Sequence, residues 1–231
     1  DTEMRNAYYS TFIQYNIIKD PDPESPGNNK VQVGENGYDS LWVNDMLEMV
    51  SSMLQFGEDP AVDLKHNLGI SISSYDAGAN WKIAWPWALY LLKTGDIEFV
   101  RENYDALKPR IHTIEEERTG PDGVMKESWI DTWGSWTMGN WNALIGLMCW
   151  EYISNALGET AEAEWAADLY VDLKEACENK LLETMANNSI DYIPADILQP
   201  NSANRTGNQR DANWAVHLFN GRWPWEGYLI G

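Results

Sequence analysis

The chain has 231 residues, which is long enough to bury a hydrophobic core and is most simply one domain. Its 16 Lys and Arg against 36 Asp and Glu give a formal net charge of −20, which disfavours nucleic acid and anionic membrane surfaces as partners. The 13 Trp and 11 Tyr against 4 Phe favour a groove for a neutral ligand, since Trp and Tyr rings carry a polar edge. The alternative is that many of these rings fill a helical core.

The first irregular segment, residues 19–35, is acidic and contains three prolines. A calcium-binding EF-hand loop would need a closing Glu and would not tolerate these prolines. We therefore expect a solvated loop. A second irregular segment, residues 186–208, is rich in Asn, Pro and Ser and is expected to be a lid or an edge loop.

Three stretches repeat one plan: a Trp-bearing apolar helix, a turn with Gly beside an acidic residue, and a more charged helix. Apolar residues spaced three and four apart predict the helices, and a Gly just past the last turn predicts where the first helix of each pair ends. The turn glycines are Gly57, Gly95 and Gly158. The predicted pairs are 42–56 with 61–68, 81–93 with 97–114, and 141–157 with 161–185.

Because the first helix of each pair is apolar nearly all round, we expect it to lie inside, with the charged helix outside. Trp42, Trp85, Trp141 and Trp150 should then lie on inner helices. No segment predicts a sheet, so the fold class is all-α. Cys149 and Cys177 lie in predicted helices without metal-binding spacing, and two buried free thiols are favoured over a disulfide.

Residues 126–136, with the sequence KESWIDTWGSW, carry the strongest indication of chemistry. Indole rings stack well on the apolar faces of sugar rings, and a carboxyl group beside indole is partly desolvated, which raises its pKa towards that of a general acid. The segment therefore favours carbohydrate chemistry. The competing interpretation is that its tryptophans are core and its acids are solvated.

Glu127-Ser128-x-x-Asp131 followed by Trp133 resembles the acid motif of trehalases and processing α-glucosidases, which are inverting enzymes with an (α/α)6 toroid. The segment 38–43, YDSLWV, is similar to the segment with which these enzymes hold a glucose ring. The resemblance implies helical hairpins in an (α/α)-toroid, a partial (α/α)6 barrel over residues 1–231. It also implies that Asp131 is the general acid and that Asp39 binds sugar hydroxyls.

The remaining site predictions combine the motif with local composition. Glu127 is a second catalytic candidate, one turn before Asp131 if the segment is helical, with the orientation of loop amides as its alternative role. The tryptophans predicted to stack on sugar are Trp42, Trp129, Trp133 and Trp136. Glu226, in the segment RWPWEGY, is the best local candidate for the catalytic base. Asp45 and Asp211 are the less favoured candidates for the same role.

The chain departs from the family pattern in three ways. Ile130 occupies the position where the family has a Trp, and an Arg that often follows the motif is absent. The family's catalytic base lies in the last of six helical hairpins, and fewer than six hairpins are predicted in this chain. Either the chain is a fragment of a longer catalytic domain, or it is a compact relative, or the base comes from elsewhere.

The predicted function is an inverting glycoside hydrolase that acts on a glucosidic or related bond of a disaccharide or oligosaccharide. The alternatives are a catalytically incomplete sugar-binding toroid and a polysaccharide lyase, which would need a basic cluster that the loops lack. No cofactor or metal is predicted, because His66, His112 and His217 have no metal spacing. The sequence leaves the oligomeric state and the compartment open, with a secreted or periplasmic location slightly preferred.

Overall fold

The computed structural model describes residues 1–34, 41–70, 77–129, 133–191 and 193–199. These ranges are mostly helical, which confirms the all-α class. Four very short strands form two separate two-stranded antiparallel pairs. In chain order the elements are α1 Thr2–Ile17, β1 Lys19–Pro21, β2 Asn29–Val31, α2 Val43–Phe56, α3 Ala61–Gly69, α4 Ala77–Trp81, α5 Ala84–Thr94, α6 Ile97–Glu116, β3 Ser128–Trp129, β4 Trp133–Gly134, α7 Thr137–Leu157 and α8 Thr160–Asn188.

The three predicted helical hairpins are present as α2 with α3, α5 with α6, and α7 with α8. Gly57, Gly95 and Gly158 end the first helix of each pair in the left-handed conformation, with φ of 83°, 70° and 82°. That conformation costs a glycine little, because it has no Cβ to clash with the preceding turn. The glycine-and-acid turns therefore locate the helix ends correctly.

The apolar helices form the inner layer. The helix α5 lies between α2 and α7, and residues 81–91 are all buried. The helices α6 and α8 lie outside, with Glu102, Glu115 and Glu175 exposed as expected. Trp85 and Trp150 are buried, Trp141 is half-buried, and the expectation for Trp42 is wrong: it precedes α2 and is 47% exposed.

The two cysteines and the acidic segment after α1 can also be compared with what the sequence predicts. Cys149 and Cys177 are buried free thiols, and burial raises the pKa of Cys177 to about 12 and that of Cys149 well above its usual value. Residues 19–34 differ from the solvated loop that was expected, because β1 pairs with β2 and Asp22 is buried. The Asp22 carboxylate lies 3.0 Å from Nε2 of His66, which gives that histidine a structural partner.

Within the described ranges, no helix is both long and apolar enough to cross a membrane.

Candidate functional site

Two exposed tryptophans lie opposite each other on the β3–β4 pair, here called the tryptophan hairpin (residues 128–129 and 133–134). Trp129 and Trp133 are directly opposed in its antiparallel register, so both side chains lie on the same face. They are 38% and 43% exposed, and their ring centroids lie 5.9 Å apart in an edge-to-face arrangement. Two large aromatic side chains are therefore partly exposed to solvent at one place.

Asp131 lies between these two tryptophans in the sequence, and outside the described residues. Glu127 lies directly before β3, and its side chain is exposed. Because Ser128 and Trp129 are extended, the one-turn relation that helical spacing would give Glu127 and Asp131 does not apply. Asp39, Asp211 and Glu226 also lie outside the described residues.

Trp136 has a different position from its two neighbours. It is 1% exposed, and its indole Nε1 donates a hydrogen bond of 3.0 Å to the carbonyl oxygen of Ser128. The predicted role of Trp136 as a stacking platform is therefore wrong, since its ring faces are covered by protein. It instead supports the tryptophan hairpin from beneath, at the start of α7.

A second support for the tryptophan hairpin comes from residues 194–198. The backbone N–H of Ser135 donates to the carboxylate of Asp196 at 3.0 Å, and the N–H of Ile197 donates to the Ser135 carbonyl at 2.8 Å. Thr137 donates through its hydroxyl to the carbonyl of Pro194 at 2.6 Å. Because Asp196 is 1% exposed, this attachment is buried and holds the hairpin to the chain that follows α8.

The tryptophan hairpin lies at the end of the molecule where the inner helices begin. Gly139, in the first turn of α7, packs against the ring of Trp81 and the hydroxyl of Ser128. Lys82 in turn bonds Glu48, in the first half of α2. The segment formed by α4 and the following Lys82 thus contacts both the first turn of α7 and the first half of α2. Trp42 lies immediately before α2 and is 47% exposed.

An ion pair that was not predicted from the sequence lies at this end. The Lys82 ammonium is 2.7 Å from Glu48 Oε1 and 5.7 Å from the ring centroid of Trp85. The Lys82 side chain is 4% exposed, whereas that of Glu48 is 38% exposed. The buried Lys82 ammonium therefore holds in place the Glu48 carboxylate, which is partly exposed to solvent. The one indication in the sequence is a lysine inside the apolar run 81–92.

Hydrogen bonds through Glu117 connect the buried indole of Trp81 to Lys126. Trp81 is fully buried, and its Nε1 donates to Glu117 Oε2 at 2.8 Å. The other oxygen of Glu117 accepts from the Lys126 ammonium at 2.6 Å, just before the tryptophan hairpin. A buried N–H without an acceptor would cost free energy, so this carboxylate stabilises the position of Trp81.

A cavity of about 470 Å³ lies elsewhere, between α1 and α2. The described residues that line it include Tyr15, Met49, Met53 and Phe56 but no Asp or Glu, so it offers no carboxylate for acid–base chemistry. Among the described residues no cluster of His, Cys, Asp and Glu has the arrangement of a metal site.

Comparison of the chain with protein-family models, with curated proteins and with solved structures finds no match.

Proposed function

We propose that this chain is a glycoside hydrolase that cleaves a glucosidic or related bond with inversion, on helical hairpins arranged as part of an (α/α)6 toroid. The observation that carries the proposal is the pair of exposed tryptophans, Trp129 and Trp133, on the two sides of Asp131 in the sequence. Partly exposed indole rings suit contact with the apolar faces of sugar rings, and a carboxyl group between them in the sequence suits proton donation.

The proposed reaction uses two carboxyl groups on opposite faces of the sugar. Asp131 gives its proton to the glycosidic oxygen as the bond from that oxygen to the anomeric carbon breaks. A carboxylate base removes a proton from the water that attacks the opposite face. The two carboxyl groups of an inverting enzyme stand about 6.5–9.5 Å apart to leave room for this water. Glu226 is the proposed base, and Asp39 the group that binds sugar hydroxyls.

The described residues contribute in other ways. Trp129, Trp133 and Trp42 provide stacking surfaces, and Glu127 is exposed directly before the tryptophan hairpin. The Glu48–Lys82 pair supplies a fixed carboxylate, suited to accepting hydrogen bonds from sugar hydroxyls. The strongly acidic chain suits a neutral substrate better than an anionic one.

A catalytically incomplete sugar-binding protein is the second candidate, because an exposed tryptophan pair favours sugar binding whether or not hydrolysis follows. Isothermal titration that detects binding of an oligosaccharide, together with no release of reducing sugar, would support this candidate. A lyase would need basic residues to neutralise a uronic acid, and the net charge of −20 makes it the weakest of the three.

The decisive test is Asp131→Asn in the full-length protein, assayed on a glucoside with an alcohol leaving group and on the matching glucosyl fluoride. The amide has the size of the carboxyl but cannot deliver a proton, so turnover of the glucoside should fall about 10²–10⁴-fold. Fluoride leaves without protonation, so its hydrolysis should be much less affected. Steady-state rates on both substrates measure the contrast.

The matched control is Asp105→Asn, an exposed aspartate on the outer helix α6, which should leave both rates unchanged. Equal losses on the two substrates in Asp131→Asn would remove the acid role and leave a sugar-positioning role. Full activity of that variant on both substrates would remove the tryptophan hairpin from the mechanism.

A further inference from the structure

The cavity between α1 and α2 has the size of a small-molecule site. Its volume of about 470 Å³ lies within the range of about 300–1,000 Å³ that such sites usually have. Positions 10, 14 and 18 line one side of it, and positions 49, 52 and 56 line the other. Residues three and four positions apart lie on the same face of a helix, so one face of α1 and one face of α2 form its two walls.

Two tyrosines anchor α1 beside this cavity. The ring of Tyr8 meets the ring of Phe56 edge-on, with centroids 4.6 Å apart, and its hydroxyl donates to the Phe56 carbonyl oxygen at 3.4 Å. The hydroxyl of Tyr15 donates to the carboxylate of Asp63 on α3 at 3.0 Å. The two tyrosines are two turns, or about 10 Å, apart along α1. Three of the residues that line the cavity lie between them in the sequence, so the wall that α1 contributes is held at both of its ends.

The cavity has an apolar bottom and a polar mouth. Ile18 and Met53 line it and are 4% and 2% exposed, and Met49 beside them is half-buried. Ser10 and Gln14, which also line it, are exposed. Methionine side chains are flexible and adapt to apolar ligands of different shapes. A molecule with an apolar body and a hydrogen-bonding group at one end would match both parts.

The lining is also uncharged. None of the described residues that line the cavity is Asp, Glu, His, Lys or Arg, although 23% of the chain is Asp, Glu, Lys or Arg and its net charge is −20. An ionised group that entered would lose its water without gaining a partner, at a large cost in free energy. The cavity therefore favours a neutral molecule.

We propose that this cavity is a binding site for a neutral amphipathic small molecule, of the class represented by a medium-chain alcohol. Its apolar body packs against Ile18, Met49 and Met53, and its hydroxyl group bonds at the mouth beside Ser10 and Gln14. This inference concerns a second site and stands independently of the proposed hydrolase activity.

Displacement of a fluorescent probe from the full chain tests the class of ligand. N-phenyl-1-naphthylamine is neutral and fluoresces in apolar surroundings, so its fluorescence reports binding. In about 0.5 M NaCl, which screens the long-range charge of the chain, 1-octanol should displace it. Octanoate has the same chain length but is ionised at pH 7, and should displace it at least about tenfold less effectively.

Two substitutions that fill the cavity from opposite walls test its location. Thr11→Phe on α1 and Ser52→Phe on α2 should each weaken binding of the probe at least about tenfold, because a ring then occupies the space. Circular dichroism checks that each variant is folded, and if one fails to fold the other decides. Asn16→Phe, at an exposed position of α1 that does not line the cavity, is the matched control and should bind the probe as the parent does.

Trp133→Ala separates this site from the tryptophan hairpin, and should leave binding of the probe unchanged. Loss of binding in that variant would place the probe on the tryptophan hairpin and overturn the proposal. Absence of binding by the parent, or undiminished binding by a folded Thr11→Phe or Ser52→Phe variant, would overturn it as well. Octanoate as effective as 1-octanol would overturn the assignment of a neutral ligand.

Discussion

The tryptophans of the inner helices and those of the tryptophan hairpin are the same residue type in opposite environments. Trp81, Trp87 and Trp150 are fully buried, whereas Trp129 and Trp133 are 38% and 43% exposed. Two of the buried indoles donate to carboxylates, Trp81 to Glu117 and Trp150 to Glu162. The difference teaches that the high Trp content serves two purposes, a helical core and an open aromatic surface.

The largest expected effect is a loss of stability when a buried tryptophan is removed, which distinguishes the core tryptophans from the exposed ones. Trp87→Ala removes a fully buried ring that stacks on Phe99 with an interplanar angle of 9°. The lost burial and the cavity left behind should lower the free energy of unfolding by about 3–5 kcal/mol. Urea unfolding followed by circular dichroism measures it. A loss below 1 kcal/mol would contradict the assignment of Trp87 to the core.

Trp133→Ala is the matched control for that comparison. Because the ring is 43% exposed on a short strand, unfolding should change by only about 0.5 kcal/mol or less. Under the proposed function, sugar affinity should instead weaken about tenfold, which corresponds to losing roughly 1.4 kcal/mol of aromatic contact. A large stability loss without any loss of affinity would assign Trp133 to the core.

The division into inner and outer helices was predictable, because its causes are local in sequence. Gly57, Gly95 and Gly158 each end a helix at the turn that was predicted from the sequence. The predicted outer helices 61–68, 97–114 and 161–185 differ from the observed ones by at most three residues at either end. Helix caps and apolar spacing are properties of a few neighbouring residues, so one sequence is enough to detect them.

Exposure within residues 126–136 was not predictable, because it depends on distant parts of the chain. Trp136 is buried in a segment whose backbone pairs with Asp196, some sixty positions later, while Trp133 is 43% exposed. The helix α1 also escaped prediction, since only Tyr15 of its 16 residues is fully buried and it lacks an apolar stripe. Its one local signal is Asp1, whose carboxylate caps the N–H groups of Glu3 and Met4.

The next effect is a stability loss that tests how closely the backbone packs around the core tryptophan Trp81. A Cβ on Gly146 of α7 would lie 1.7 Å from the carbonyl oxygen of Trp81, so α4 and α7 would have to separate. Gly146→Ala should therefore cost about 1–3 kcal/mol or more, although alanine favours a helix. Thermal unfolding measures this loss.

Gly69→Ala is the control for the packing test. Gly69 ends α3, and a Cβ there would meet nothing within 4 Å. This substitution should stabilise the protein by about 0.4–1 kcal/mol, since alanine restricts the unfolded chain. If both substitutions proved neutral or stabilising, the close contact between α4 and α7 would be disproved.

The smallest effect concerns the acceptor that serves Trp150. Glu162 on α8 accepts from the Lys108 ammonium at 2.5 Å, from His112 Nε2 at 2.9 Å and from Trp150 Nε1 at 3.3 Å. Partial burial alone would raise the pKa of Glu162, but the hydrogen bonds from Lys108, His112 and Trp150 outweigh it. The pKa is therefore held below its usual value of 4.5.

A carboxylate whose pKa is lower in the folded than in the unfolded protein stabilises the fold at a pH above its unfolded pKa. That stabilisation is lost as pH falls through the folded pKa. Glu162→Gln should therefore lower the free energy of unfolding at pH 7 by a few tenths to about 1 kcal/mol, because the site is partly exposed to solvent. The difference between the variant and the parent should shrink as pH falls from about 5 towards 3. Urea unfolding of both proteins across this range measures it, with Glu164→Gln, exposed on the same helix, as the control. A difference that stayed constant with pH would show that Glu162 acts through neutral hydrogen bonds to Trp150 and not through its charge.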